Sequence, residues 1–148
     1  MIRVHGTSVA LDGDGILLRG PSGSGKSDLA LRLIDEGARL VADDQTELRR
    51  SGDRLSLSAP ATIAGRMEVR GIGILAVPTL DSARLRLVVA LAPIERIERL
   101  PEPQFCEFLG VSVPLISLAP FEVSATAKVR LALRALGVGA LDAAFTPS

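Results

Sequence analysis

Tryptophan and tyrosine are absent from the 148 residues and phenylalanine occurs only four times. Leu, Val, Ile and Ala must therefore fill whatever core the chain builds. The same scarcity removes the stacking surfaces on which single-stranded nucleic acid is held. Charge of either sign is not in excess: Lys plus Arg and Asp plus Glu both total 17, for a formal net charge of zero. Without a basic field there is nothing to attract a phosphate backbone non-specifically, so no nucleic-acid partner is expected. Cys106 is the single cysteine, which excludes an internal disulfide. It stands among Phe105, Phe108 and Leu109 with no His nearby in the chain, and reads as a small buried hydrophobe rather than a nucleophile. No Cys and His spacing suits a metal. No apolar run reaches the ~18 residues of a membrane-spanning helix. The N-terminus also lacks the basic-then-apolar pattern of a secretory signal, so a soluble, cytoplasmic protein with no membrane partner is expected.

The length fits one domain, residues 1–148, large enough to bury roughly 68–70% of the surface its unfolded chain exposes. Residues 2–11 and 16–19 read as two strands joined by the turn Asp12-Gly13-Asp14-Gly15. A helix is predicted from Ser27, with Leu29, Leu31, Leu33 and Ile34 apolar and Gly37 placed to end it. Residues 38–42 read as a buried strand ending at Asp43-Asp44, and 46–50 with 54–58 as a hairpin about Ser51-Gly52-Asp53. Further strands are predicted at 72–77, 85–91, 105–108 and 113–117, and a helix at 124–136. Leu100-Pro101-Glu102-Pro103 is too short for a linker and reads as an exposed loop. The tail after Gly137 is expected to fray. The sum is an α/β fold in which strands outnumber helices.

The segment Gly20-Pro21-Ser22-Gly23-Ser24-Gly25-Lys26-Ser27 matches the phosphate-binding loop GxxxxGK[ST] in full, with a predicted strand before it and a helix after. Each part has a physical task. The glycines let successive backbone N–H groups turn toward one anion, and the helix N-terminus adds partial positive charge. Lys26 reaches the outer phosphates, and the Ser27 hydroxyl suits magnesium. A chance Gly/Ser-rich turn is the competing reading, and the flanking elements argue against it.

Asp43 and Asp44 lie at the carboxyl end of a predicted strand, where open α/β sheets place ligands. Adjacent acids there can divide labour, one toward a metal and one toward a proton; a solvated turn or helix cap is the bland alternative. His5, the single histidine, is placed on a strand beside the phosphate-loop strand, and is a chemical candidate only through its near-neutral titration. Glu68 and Arg70 precede a glycine-spaced apolar strand and could equally form an exposed ion pair. The apolar stripe on 124–136 is core packing, with Lys128, Arg130 and Arg134 on the wetter side.

Taken together, Val4-His5-Gly6, the loop at 20–27, Val41-Ala42-Asp43-Asp44 and Met67-Glu68-Val69-Arg70-Gly71-Ile72-Gly73 resemble, in order and spacing, the catalytic domain of HPr kinase/phosphorylase. The resemblance covers about residues 3–118, and Glu-x-Arg-Gly-x-Gly is its most specific element. It implies a P-loop kinase domain of the HPr kinase and PEP carboxykinase type, with a mixed, strand-rich sheet and few helices. It implies a bacterial kinase that uses ATP and Mg2+ to phosphorylate a serine of an HPr-like phosphocarrier protein, and that can remove the phosphate with inorganic phosphate. By the same resemblance Asp43 is the proton-transferring group, while His5 lies near the phosphate site and joins Asp43 and Lys26 as a catalytic residue. Ser27 and Glu68 are associated with magnesium, to which the division of labour adds Asp44. Arg70 belongs to the signature and is expected on the phosphates. Longer relatives form hexamers, so the resemblance also implies a homo-oligomer.

Two departures stand out. Longer family members carry an N-terminal domain, whereas this chain begins almost at Val-His-Gly, as short forms comprising the catalytic domain do. The usual Pro-Gly-Arg before the last helix is replaced by Ala119-Pro120-Phe121-Glu122, without the arginine linked to phosphate removal. The alternative reading is a nucleotide-gated regulatory protein with weak or no phosphoryl transfer. A GTP-binding switch lacks its Asn-Lys-x-Asp element here, and a small-molecule kinase needs a lid and an acceptor pocket for which the chain leaves little room.

Overall fold

The computed structural model describes residues 1–61 and 64–137. The tail read as a fraying end lies outside the described residues. Among the described residues eleven strands and two α-helices, besides a short 3-10 turn at Ile94–Arg96, follow in the order β1 (Ile2–His5), β2 (Thr7–Leu11), β3 (Asp14–Arg19), α1 (Lys26–Asp35), β4 (Arg39–Ala42), β5 (Gln45–Ser51), β6 (Arg54–Ser58), β7 (Arg66–Val69), β8 (Gly73–Ala76), β9 (Ser82–Leu91), β10 (Gln104–Phe108), β11 (Val111–Leu118) and α2 (Ala125–Gly137). Nine strands form one mixed sheet, while β7 and β8 form a separate hairpin. The expected strand-rich α/β fold is borne out.

The centre of the sheet is parallel: β9 runs between β3 and β11, both parallel to it. Antiparallel pairing carries β2 and then β4 outward from β3. Beside the first residues of β9 lies β6, followed by β5 and β1. Because β4 is two antiparallel steps from β3, their carboxyl ends emerge at one edge of the sheet. The phosphate loop and Asp43 are therefore neighbours by topology.

Alternation along the strands sends side chains to two apolar clusters. Ile16, Leu18, Leu87 and Val89 face the helices, where Leu29, Leu33, Ala125 and Val129 cover them. Leu17 and Val88 face the opposite cluster with Leu48, Leu57, Phe108 and Val113. In the pairing of β3 with β9 the register shifts between Gly15 and Ile16, which are opposite Leu85 and Leu87. That bulge explains why Leu85 and Val88, three apart, share one face. No helix among the described residues is long and apolar enough to cross a membrane.

Three expectations need correction. The strand expected over 2–11 is two strands broken at Gly6, where an added Cβ would stand 2.9 Å from the Leu18 carbonyl oxygen. As a result β1, which carries His5, pairs with β5 and not with the phosphate-loop strand. The turn is also shorter than expected: Leu11 is opposite Asp14, leaving Asp12 and Gly13 at φ 50 and 85 as a two-residue hairpin turn. Finally, the segment before 72–77 is itself the strand β7.

Candidate active site

The loop between β3 and α1 curls around the end of its own lysine. Lys26 is buried, and its Nζ donates to the carbonyl oxygens of Gly20 at 2.7 Å and Pro21 at 3.0 Å. Burial lowers its pKa from the ordinary 10.5, and the negative charges of Asp44 and Asp43 offset part of that effect. Gly25 caps the helix at φ 102, a conformation that L side chains rarely adopt, and an added Cβ would meet the Phe121 ring at 2.9 Å. No side chain caps the helix start. Its first N–H groups and partial positive charge are thus left without a side-chain cap, an arrangement that suits an anion. Ser24 Oγ in the same loop is buried without a hydrogen-bond partner, a site of unmet polar capacity.

The paired acids occupy different environments. Asp43 Oδ1 accepts from the hydroxyls of Thr7 at 3.1 Å and Ser27 at 3.2 Å, and Oδ2 accepts from the Glu68 backbone N–H at 3.4 Å. One carboxylate therefore ties together β2, the phosphate-loop helix and β7. Asp44 points outward, with 65% of its side chain exposed and Oδ1 3.5 Å from His5 Nε2. Its backbone has φ 67, and Gln45 N–H donates to the Asp43 carbonyl oxygen across it at 2.7 Å. An i to i+2 bond about a positive φ is the rarer, strained hand of the γ-turn. Gly6 N–H to Asp44 O at 2.8 Å and Asp44 N–H to Thr7 Oγ1 at 3.1 Å hold it there.

A cavity of about 680 Å³ opens over the loop, lined by Lys26, Ser27, Asp44, Glu68, Arg70 and Phe121 among others. Glu68 and Arg70 are exposed, whereas Met67 and Val69 on the alternate face of β7 are buried. Among the described residues no ion pair joins Glu68 to Arg70, so the exposed-pair reading lacks support. Nor is there a cluster of three or more His, Cys, Asp or Glu able to hold a metal ion among the described residues. The donors present are one hydroxyl and a few carboxylates, which suits magnesium shared with substrate phosphates rather than a cage made of protein alone.

The structure thus brings the loop, Asp43, Asp44, His5, Glu68 and Arg70 to one edge of the sheet. His5 arrives there from the far strand β1, and it also lines a second hollow on the other side of Gly20 and Pro21, shared with Arg19 and Cys106. Cys106 is only partly buried and its Sγ lies 3.9 Å from Arg19 Nη1, so it is less enclosed than expected. Sequence reasoning missed Thr7, whose hydroxyl links both acids, and Phe121, which faces the cavity. It also missed Arg32, which pairs with Asp28 at 3.0 Å and donates to the Pro120 carbonyl oxygen. Nothing in the sequence marks Thr7 or Arg32, because the contacts of both are made only in the folded chain.

The model of the HPr serine kinase C-terminal domain matches residues 1–133. The chain belongs to that family. The HPr kinase/phosphorylase of Caldanaerobacter subterraneus subsp. tengcongensis is 43% identical over an aligned length of 129 residues that covers 79% of this chain and 42% of that protein. The HPr kinase/phosphorylase of an Exiguobacterium species is 50% identical over 84 residues, 56% of this chain and 27% of its own length. The chain therefore spans about two fifths or less of these curated relatives. Among solved structures, the Hpr(Ser) kinase/phosphatase from Coxiella burnetii superposes with a TM-score of 0.82 at 26% identity, covering 93% of this chain and 97% of that one. The family and fold expected from the motifs are the ones found.

Proposed function

We propose that this chain is an ATP- and magnesium-dependent serine kinase acting on an HPr-like phosphocarrier protein of a bacterial phosphotransferase system. The observation that carries the reading is the hydrogen bond from Ser27 to Asp43 inside a complete phosphate loop. It sets a carboxylate one side chain away from the phosphate-binding residues. In this reading the backbone N–H groups of residues 20–27 and the Lys26 ammonium hold the phosphates, and Arg70 adds charge from the facing hairpin. Ser27, Glu68 and Asp44 would hold magnesium together with the phosphates, where it would supply charge neutralisation. Asp43 takes the proton of the acceptor serine as its oxygen bonds to the terminal phosphorus and the bond to the ADP oxygen breaks. His5, 3.5 Å from Asp44, orients that carboxylate. Reversal by inorganic phosphate is the weaker direction, since residues 119–122 offer no arginine. The reading carries with it a cytoplasmic protein and a homo-oligomer, as in longer relatives.

The Ser27 contact also favours a second division of labour, with Asp43 toward the metal and the exposed Asp44 toward the acceptor. Single-turnover transfer to a purified carrier, followed by mass measurement, is run beside a binding titration for Asp43→Asn and Asp44→Asn. In the first assignment Asp43→Asn keeps its nucleotide affinity and loses roughly 10²–10⁴ in transfer, as general-base loss does, while Asp44→Asn weakens magnesium-dependent binding. The opposite pattern assigns the roles the other way. Full transfer by both variants sinks the catalytic role of the pair. A parent chain that binds ATP and leaves the carrier unphosphorylated points to the nucleotide-gated regulatory protein instead.

A further inference from the structure

The last strand of the parallel centre, β11, delivers the chain to the edge of the sheet that bears the phosphate loop. Three residues later stands Phe121. The residue is 70% exposed, in a chain with four phenylalanines and no tyrosine or tryptophan. The exposure is not that of a loose loop tip. Glu122 N–H donates to Ala119 O, Ala125 N–H donates to Glu122 O at 3.1 Å, and the Arg32 guanidinium holds the Pro120 carbonyl oxygen. The ring lies against the loop at Gly25, where even a Cβ would be 2.9 Å from Cζ. Leu31, one turn along α1, lines the same cavity as Phe121 and Lys26. An apolar, aromatic surface is thus fixed beside the helix N-terminus that receives phosphates.

From this placement we propose that Phe121 is the platform on which the nucleobase of the bound nucleotide stacks. The inference rests on the nucleotide-binding reading above and deepens it. Phosphates on the loop put the sugar and base within the cavity, and a base laid on the exposed ring removes apolar surface of both partners from water. Stacking also explains why a ring is held in solvent at the mouth of a charged site. Recognition through a π-face needs no hydrogen bond to the edge of the base.

Two ligands separate the base from the phosphates: ATP and inorganic tripolyphosphate, each with magnesium, titrated by calorimetry. Relative to the parent, Phe121→Ala should bind ATP on the order of 10- to 100-fold more weakly, the span reported for loss of a base–aromatic stack. Its affinity for tripolyphosphate should be unchanged. The chain has no tryptophan, so Phe121→Trp supplies a single reporter. That variant should keep ATP affinity, with fluorescence quenched by ATP and not by tripolyphosphate. Phe121→Leu, which keeps apolar bulk without a ring, guards against misfolding of the alanine variant and should also lose ATP affinity. Unchanged ATP affinity in the alanine and leucine variants overturns the proposal, and slowed transfer to the carrier at that unchanged affinity would make Phe121 a docking residue for the acceptor protein. Equal loss of both ligands also overturns it, because the ring would then be shaping the loop at Gly25. A parent that binds neither ligand would sink the nucleotide reading itself.

Discussion

At the scale of single residues, the loop lysine shows how the site is stabilised without its ligand. Lys26 loses hydration on burial, and the charges of Asp44 and Asp43 compensate only in part, so its pKa falls below 10.5. In the unfolded chain the lysine keeps its proton up to its ordinary pKa. Between the lowered value and 10.5 the unfolded state therefore binds more protons than the native state, and stability rises with pH there. Below that window both states are protonated and the contribution is flat. The stability of the parent minus that of Lys26→Met should accordingly climb from the lowered value toward pH 10.5, as read by denaturant unfolding from pH 8 to 11. A flat or falling difference would mean that burial does not dominate at this lysine. These residues were legible because phosphate binding requires a fixed order of Gly, Lys and Ser in one short segment. Thr7 was not legible: its role arises only when β2 and β4 are paired and its hydroxyl meets both acids.

At the scale of elements, the short strand β1 and the break at Gly6 explain how a strained corner is maintained. Gly6 donates to Asp44 O at 2.8 Å and its carbonyl accepts from Thr46 Oγ1 at 2.9 Å, while its Cα faces Leu17 and Leu18 without room for a methyl group. Gly6→Ala forces β1 or β3 to move and loosens the clamp on the γ-turn at Asp44. The expected loss is about 1–3 kcal/mol, the usual cost of overpacking, with a fall in phosphoryl transfer larger than any fall in nucleotide affinity. Chemical denaturation and the transfer assay measure the two effects. A variant with the parent's midpoint and full transfer would show that the close approach is not needed. Most element types were readable from alternation and turn residues, including the helix that ends at Gly37, where Gly37 N–H to Ile34 O and Ala38 N–H to Leu33 O close the last turn. The break at Gly6 was not readable, because the run 2–11 has continuous strand character and only the third dimension excludes a side chain. β7 was hidden for a related reason: its four residues carry too few alternations to mark a strand.

At the scale of the whole molecule, the two sheets differ in how firmly they are tied to the core. The nine-stranded sheet carries both apolar clusters, with its parallel strands β3 and β9 at the centre. The hairpin β7–β8 is separate; β8 is exposed throughout, and Met67 and Val69 are its main ties to the core. Isolated two-stranded hairpins are marginal in water, so this one should open at a small fraction of the global unfolding free energy. Yet it supplies Glu68 and Arg70, and its one bond to the acid pair is Glu68 N–H to Asp43. A ligand that spans the phosphate loop and Glu68 must therefore stabilise the closed hairpin. Where opening abolishes binding, ligand at 100 times its Kd adds about 2.7 kcal/mol. Hydrogen exchange should then show amides of residues 66–76 exchanging faster than those of β3 and β9 in the free protein, and on the order of 100-fold more slowly with saturating ATP and magnesium. Glu68→Gln keeps the backbone bond to Asp43 but loses the charge a hard dication prefers. Its hairpin should start from the same exchange rate and gain much less protection. Equal protection in parent and Glu68→Gln would count against the proposed role of Glu68 toward magnesium, and protection confined to residues 20–30 would mean that the hairpin takes no part in holding the nucleotide.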